Sequence, residues 1–471
     1  MNGRQTADIV VIGGGPAGLA VAVGAAQLGA DTVLIERDAM GGASLRHGGA
    51  ATAALLAAGR RAQAMREAAA FGLGAVEPQV DFAAVMRQVR AVIDTLAPQD
   101  SAERLAGLGV RVVGGDARFT GRCEVAAGGV AIRARRLVIA TGARPRMPRI
   151  AGLDRVPLLT PETIFANDTL PEHLLVVGGG PEALALAQAH RLLGARVSMV
   201  APWGVLTDED PEPVALLLEC LAARGITVRA EPIAEITARA GGVAIRLEAE
   251  TEPLAGSHLL VAAGGQPALD GLGLEAAGIA TDAEGRLALD HRLRTSNRRV
   301  YAAGDATGAR FAHEALDHAG IVLRNALFRL PARTGTRPPV RVVFTAPELA
   351  QAGLTEAEAR ARHGRITILR WPFFENDRAQ AERTATGLVK LVARRDGRVL
   401  GATILGERAG ELIPLWALAI ARGLRLSAVA GLDLPYPTMG EASKRAAASF
   451  DLPRLAGARH KWLVRLLARF G

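Results

Sequence analysis

The stretch DIVVIGGGPAGLAVAVGAAQLGADTVLIER, from Asp8 to Arg37, constrains the fold more than any other in the chain. An apolar run of strand character meets a Gly-x-Gly-x-x-Gly turn at Gly13, Gly15 and Gly18, then a small-residue helix and a second apolar run that ends on Glu36. The first glycine permits a tight turn, the second lets main chain approach a pyrophosphate, and the third lets helix pack on strand. Pro16 and Ala17 open the helix, whose N-terminus offers positive potential to a phosphate. Glu36, with Arg37 beside it, is placed to accept from an adenosine ribose hydroxyl. Residues 9–30 carry no charge and resemble a membrane span or a signal peptide in hydropathy alone. A glycine triplet followed by Pro16 argues against one continuous helix, so strand, turn and helix is the reading.

A second unit of the same kind follows in LLVVGGGPEALALAQAHRLLGARVSMV, residues 174–200, with Gly178, Gly180 and Ala183 at the three glycine places. Two such units imply two dinucleotides, most simply a flavin and a nicotinamide. Each is followed by a short apolar strand that ends in glycine: LVIATGARP, with Ala140, Thr141 and Gly142, and LLVAAGGQP, with Gly264. In VYAAGDATG a third apolar strand delivers Gly304 and Asp305 to a loop, where a carboxylate can accept from a polyol hydroxyl.

At 471 residues the chain suits two to four domains of ordinary size. The net charge of +9 is nearly all arginine, since Lys390, Lys444 and Lys461 are the only lysines. Those arginines are scattered singly and no base-reading motif accompanies them, so nucleic acid is not an expected partner. Cys123 and Cys220 lie far apart in no recognisable motif, which excludes a disulfide framework and a cysteine-based metal site. They fit a reducing compartment, and a cytoplasmic protein is expected.

With these motifs in place, the chain resembles the pyridine nucleotide–disulfide oxidoreductase family, the group of lipoamide dehydrogenase, glutathione reductase and mercuric reductase. The resemblance runs essentially end to end. It implies an α/β fold of two Rossmann-like dinucleotide-binding domains, of FAD and NAD(P) type, and a C-terminal α+β dimerisation domain. The boundaries it suggests are 1–152 with 281–337 for FAD, 153–280 for the NAD(P)-type domain, 338–451 for the interface domain and 452–471 for a basic tail. By resemblance, Gly13, Gly15, Gly18 and Glu36 bind the FAD adenosine and pyrophosphate. Gly42, Ala43, Ser44, Thr141, Gly142 and Ala312 lie near the cofactor, and Asp305 holds its ribityl chain. In relatives the interface domain forms a two-fold dimer and sends its last motif to the partner subunit's flavin, so a homodimer is implied. From the residues alone, GLVKLVARRDGRVLGATILG reads as a β-hairpin turning at Asp396 and Gly397.

The family's redox motif, G-G-T-C-x-N-x-G-C-x-P-S-K, falls on Gly41 to Ala53. Ser44 and Gly49 occupy the two cysteine places and Ala53 the lysine place. Ala185 stands where relatives carry the glutamate that pairs with that lysine. A thiol–disulfide relay needs a thiolate to attack and a second sulfur to close the bond, and serine does neither at neutral pH. The expected chemistry is therefore electron transfer from NAD(P)H directly through the flavin to a non-disulfide acceptor, a quinone or other small electrophile. Its site residues are Ser44, Arg46, Tyr436 and Glu441.

Tyr436, in PYPTMGE, takes the place of the acid–base histidine of lipoamide and glutathione enzymes, while Glu441 is kept. A phenol is a poor base near pH 7 and a good hydrogen-bond donor to a carbonyl or quinone oxygen; packing at the interface is the alternative. Arg46 and His47 either stabilise charge beside the flavin or form a solvated pair. Ala201, Pro202 and Trp203 fill the positions where relatives select NADH or NADPH, and Pro181 replaces an aromatic gate, so the choice of nucleotide stays open. A non-catalytic FAD-binding scaffold is the rival reading, and disulfide reduction with sulfur from another chain is a third.

Residues 458–471, ARHKWLVRLLARFG, place Trp462, Leu463, Leu466, Leu467 and Phe470 on one helical face, with Arg459, Lys461, Arg465 and Arg469 around the others. Such a helix either packs on the dimer or lies in a membrane interface at the inner face.

Overall fold

The computed structural model describes residues 5–309, 311–452 and 458–470, the last group from residue 461 onward with side chains. The chain divides into two compact units: one runs to Pro202 and resumes at Arg229–Thr336, the other joins Trp203–Val228 to the chain from Arg337 onward.

The first unit is built on the charge-free N-terminal stretch, which forms the strand Gln5–Ile12 and the helix Pro16–Gln27. That strand sits centrally between Thr32–Glu36 and Val130–Ile139, both parallel to it, and Val110–Gly114 and Val300–Ala302 extend the parallel set. Arg118–Gly121 and Glu124–Ala127 close one side as antiparallel strands. Ile9, Val10 and Val11 are fully buried, because helices or strands cover both faces. Register decides where the chemistry sits: Ile12 pairs with Ile35 and Ile139, and Ile139 with Ala302. Glu36, the last residue of its strand, and the residues Gly13, Ala140 and Ala303 that follow theirs therefore gather at one carboxyl edge, the edge where open α/β sheets bind ligands.

A smaller parallel sheet in the same unit contains His173–Val177, Arg196–Val200 and His258–Val261. An antiparallel meander, Ile233–Arg239, Gly242–Leu247 and Leu254–Gly256, shares its core through Ile236, Val243 and Ile245. The helix Pro181–Leu192 starts at the carboxyl end of His173–Val177.

The second unit centres on a five-stranded antiparallel sheet in the order Val340–Val343, Glu348–Gly353, Val399–Gly406, Leu388–Arg394, Ile366–Pro372. Leu388–Arg394 and Val399–Gly406 form the expected hairpin. The helices Ala409–Ala421 and Gly440–Ala448 share the buried core of this sheet, where the Trp416 indole donates to Ser443 Oγ at 3.0 Å. Among the described residues, no helix is long and apolar enough to cross a membrane.

Candidate active site

The three glycines of the first loop do different jobs. Gly13 has φ +110°, and a Cβ there would lie 2.2 Å from the Ala140 carbonyl oxygen. A Cβ at Gly18 would lie 1.8 Å from the Gly13 carbonyl oxygen, so packing alone excludes a side chain at both positions. At Gly15 a Cβ would meet nothing within 4 Å: the space beside it is open, as a pyrophosphate requires. Pro16 follows at the first helical position. Gly42, at the start of the short helix Gly42–Arg46, approaches the loop so closely that a Cβ would stand 3.0 Å from Gly15 Cα. Ala17 has the same relation to Gly304, whose Cβ would lie 2.9 Å from its methyl.

Glu36 accepts from the backbone N–H of Gly14 and from that of Asp38, the latter at 2.8 Å, so its carboxylate is tied to the loop. Arg37 is exposed and pairs with Asp38 at 3.1 Å. Around the loop, Thr141 Oγ1, Arg46 Nε and His47 Nδ1 are buried and have no hydrogen-bond partner. Buried polar atoms are rarely left so, and three on the elements surrounding one open glycine loop fit a polar ligand that would satisfy them. Residues and space together fit FAD.

The second loop repeats the geometry. Gly178 has φ +143°, and a Cβ there would lie 2.1 Å from the Ala262 carbonyl oxygen, while Gly180 faces open space. Ala183 is fully buried, and Gly264 has φ +90°. Ala201 is fully buried at the end of its strand and offers no group to a ribose.

Sequence reasoning missed Glu182, at the second position of the helix Pro181–Leu192, one turn-step from Gly180. Glu182 is exposed by its overall surface, while its carboxyl loses part of its hydration to neighbouring protein. That burial, then the like charges of Glu162 and Asp305, pushes Glu182 up to about 7. Asp305 is itself raised by burial and by Glu314. His47 is lowered, first by burial and then by Arg46, with Glu162 opposing. Glu162 thus acts on both Glu182 and His47, and Asp305 links Glu182 to Glu314. An acid directly after the Pro181 of a dinucleotide loop was the available signal.

Tyr436 and Glu441 belong to the second unit, and all other anticipated site residues to the first. Tyr436 is 70% exposed, and its hydroxyl donates to Asp377 Oδ2 at 3.0 Å. That bond and the Asp377 charge hold the phenol above its ordinary value, so it is neutral near pH 7. Glu441 accepts from the Thr438 N–H at 3.4 Å, which ties the loop before the helix Gly440–Ala448 to its first turn. Asp377 was not anticipated, although it lies in the family-like segment NDRAQAE.

Fold and site define a two-dinucleotide flavoprotein oxidoreductase. Residues 7–319 match the family described as pyridine nucleotide-disulphide oxidoreductase and residues 340–447 match its dimerisation domain, so the chain belongs to that family. A mercuric reductase of Streptomyces lividans is 36% identical over 466 residues, covering 95% of this chain and 98% of that protein. A dihydrolipoyl dehydrogenase of Thermus scotoductus is 32% identical, covering 99% of this chain and all of its own length. Among solved structures, the HOCl-induced flavoprotein disulfide reductase RclA from Escherichia coli superposes with a TM-score of 0.85 at 26% identity, covering 94% of this chain and 99% of that one. The protein is accordingly an FAD-dependent oxidoreductase of the NAD(P)H-using class, and its dimerisation domain makes it a homodimer.

Proposed function

We propose that this enzyme moves electrons from NAD(P)H through FAD to a small non-disulfide acceptor, a quinone or similar electrophile, without a thiol relay. The supporting observation is the pair Ser44 and Gly49 at the family's two cysteine places, together with Ala53 and Ala185 at its lysine–glutamate pair. Losing one charged partner alone would strand a buried charge; losing both is a coherent rebuild. The two cysteines that remain, Cys123 beside the turn of an antiparallel hairpin and Cys220 on the helix Pro211–Ala223, fall in different units and outside every flavin-facing motif.

Residues 1–152 and 281–337 hold FAD in this reading, 153–280 receive the nicotinamide nucleotide, and 338–451 join the subunits. When bound, FAD would supply a ring able to take up hydride and pass electrons on. The chain's own groups do the rest. Gly13, Gly15 and Gly18 shape the phosphate cradle and Glu36 the ribose end, while Asp305 holds the polyol chain. On the acceptor side Arg46 attracts an electron-rich oxygen, Ser44 offers a hydroxyl, and the partner's Tyr436, on the loop that Glu441 ties, turns its single O–H from Asp377 to the acceptor oxygen. With a quinone the balance is NAD(P)H plus one proton plus quinone giving NAD(P)⁺ plus quinol.

The test is anaerobic rapid mixing of the yellow protein with NADH and, separately, NADPH. Fast bleaching of the flavin band with no long-wavelength thiolate charge-transfer absorbance, followed by recovery on adding a quinone, is the expected result. A flavin that neither nucleotide bleaches over minutes would overturn the reading and leave an FAD-binding scaffold.

A further inference from the structure

We infer that the helix Ala458–Leu467 is an interfacial anchor that docks the homodimer on an anionic lipid bilayer. Its backbone continues one turn further, with the Ala468 N–H on the Val464 carbonyl at 3.0 Å and the Phe470 N–H on Leu467 at 2.9 Å. At about 100° per residue, Trp462, Leu463, Leu466, Leu467 and Phe470 fall within an arc of roughly 140°, and Lys461, Arg465 and Arg469 within a separate arc of roughly 80°. Every residue from 461 to 470 is exposed apart from the half-buried Leu466; Trp462 is 64% and Phe470 81% exposed. A helix packed on its own subunit would hide its apolar arc, and this one hides neither arc.

Charge selects the occupant. Residues 452–471 contain no acid, against five arginines and lysines: Arg454, Arg459, Lys461, Arg465 and Arg469. An apolar arc carrying tryptophan and phenylalanine, bordered on one side by Lys461, Arg465 and Arg469, suits the boundary between anionic headgroups and acyl chains. The match to the dimerisation domain covers residues 340–447 and leaves this helix outside it. A helix this short binds a bilayer weakly alone. The homodimer carries two, and engagement of the first raises the effective concentration of the second. This inference does not depend on the proposed acceptor, although a quinone dissolved in the same layer would lie within reach of a docked enzyme.

The experiment is flotation of the full-length, flavin-loaded dimer with phosphatidylcholine vesicles and with vesicles that also contain phosphatidylglycerol. The wild-type protein is expected to float with the anionic vesicles only. Arg465→Gln with Arg469→Gln should weaken binding through each helix on the order of thirtyfold, and Leu463→Ser with Leu467→Ser should abolish flotation while flavin content and dimer mass stay unchanged. Three results would overturn the anchor: no flotation with anionic vesicles at low salt; flotation that survives the two serine substitutions, which marks adsorption by net charge alone; or loss of the dimer in either variant, which marks the helix as a subunit contact.

Discussion

Lys390 and Asp210 meet at 2.9 Å in the second unit with 3% and 1% of their side chains exposed. Glu212 and Glu356 approach the same ammonium at 2.8 and 2.9 Å. One of only three lysines in the chain is thus spent holding the Pro211–Ala223 helix start, the helix Glu356–His363 and the central sheet together. Lys390→Met leaves Asp210 buried without its cation and should lower stability by about 3–5 kcal/mol. Because the chain has two compact units, the readout is the midpoint of the first thermal transition. Adding Asp210→Asn should recover part of the loss.

Acid should loosen the same unit. Arg370 donates to Glu212 at 2.6 and 2.7 Å, and with Lys390 it holds that carboxyl down to about 2 from an ordinary value near 4.5. The folded value lies below the unfolded one, so the stabilisation is fully present above pH 4.5 and is lost as pH falls from there toward 2. Glu212→Gln should lower the thermal midpoint at pH 7 and flatten its pH dependence between 4.5 and 2. A variant with the wild-type slope in that window would assign the acid sensitivity elsewhere.

The two glycines of the first loop should separate folding from cofactor binding. Gly13→Ala forces a side chain to within 2.2 Å of a backbone oxygen at φ +110° and should cost about 4 kcal/mol or more, with little folded protein recovered. Gly15→Ala meets no protein atom within 4 Å, so the apoprotein should fold with its normal melting profile. Its methyl enters the open space that the proposed reading gives to the pyrophosphate, and on that reading flavin affinity should drop by at least ~10-fold, about 1.4 kcal/mol. Flavin content after gel filtration and apoprotein melting measure the two effects separately.

Much of the site was legible because its signals are local. Gly13, Gly15, Gly18 and Glu36 lie within one strand–turn–helix–strand unit, and the hairpin around Asp396 and Gly397 declares itself by two apolar runs and a turn. Glu182 was not legible: its carboxyl is raised first by burial and then by Glu162, twenty positions earlier, and Asp305, over a hundred later, all of which only the fold supplies. The same holds for Asp377 beside Tyr436, and for Asp210 with Lys390, which sit 180 positions apart. Charges that act across elements leave no periodicity to read.

Glu182 supplies a pH dependence of opposite sign to that of Glu212. Its folded value, about 7, lies above the ordinary 4.5. Below pH 4.5 it is neutral in both states; between 4.5 and 7 the unfolded chain gives up the proton first, so stability falls as pH rises, and above 7 the penalty is constant. Glu182→Gln removes the penalty. After discounting for solvent screening of an exposed residue, a gain on the order of 1 kcal/mol, or about 1–2 °C at pH 8, is expected, with none at pH 4. Melting curves at the two pH values decide it, and an equal shift at both would show that the substitution acts by packing.

Tyr436 should matter to one half of the reaction only. Its hydroxyl donates its one proton to Asp377 at 3.0 Å in a phenol that is 70% exposed, so in the proposed reaction that O–H turns from Asp377 to the acceptor oxygen. Raised by Asp377, the phenol stays protonated across the neutral range, so it acts as a hydrogen-bonding group and the rate should show no titration from it below pH 9. Tyr436→Phe removes the hydroxyl and keeps the ring. Flavin bleaching by NAD(P)H should then proceed at the wild-type rate, because that step uses the nucleotide side. Reoxidation by a quinone should slow by about tenfold or more, the loss of one hydrogen bond to a group that gains negative charge. Asp377→Asn should leave a smaller defect, since the phenol keeps its hydroxyl and loses only its orientation. Equal slowing of both halves would place Tyr436 in the dimer contact, and no slowing in either would remove it from the site.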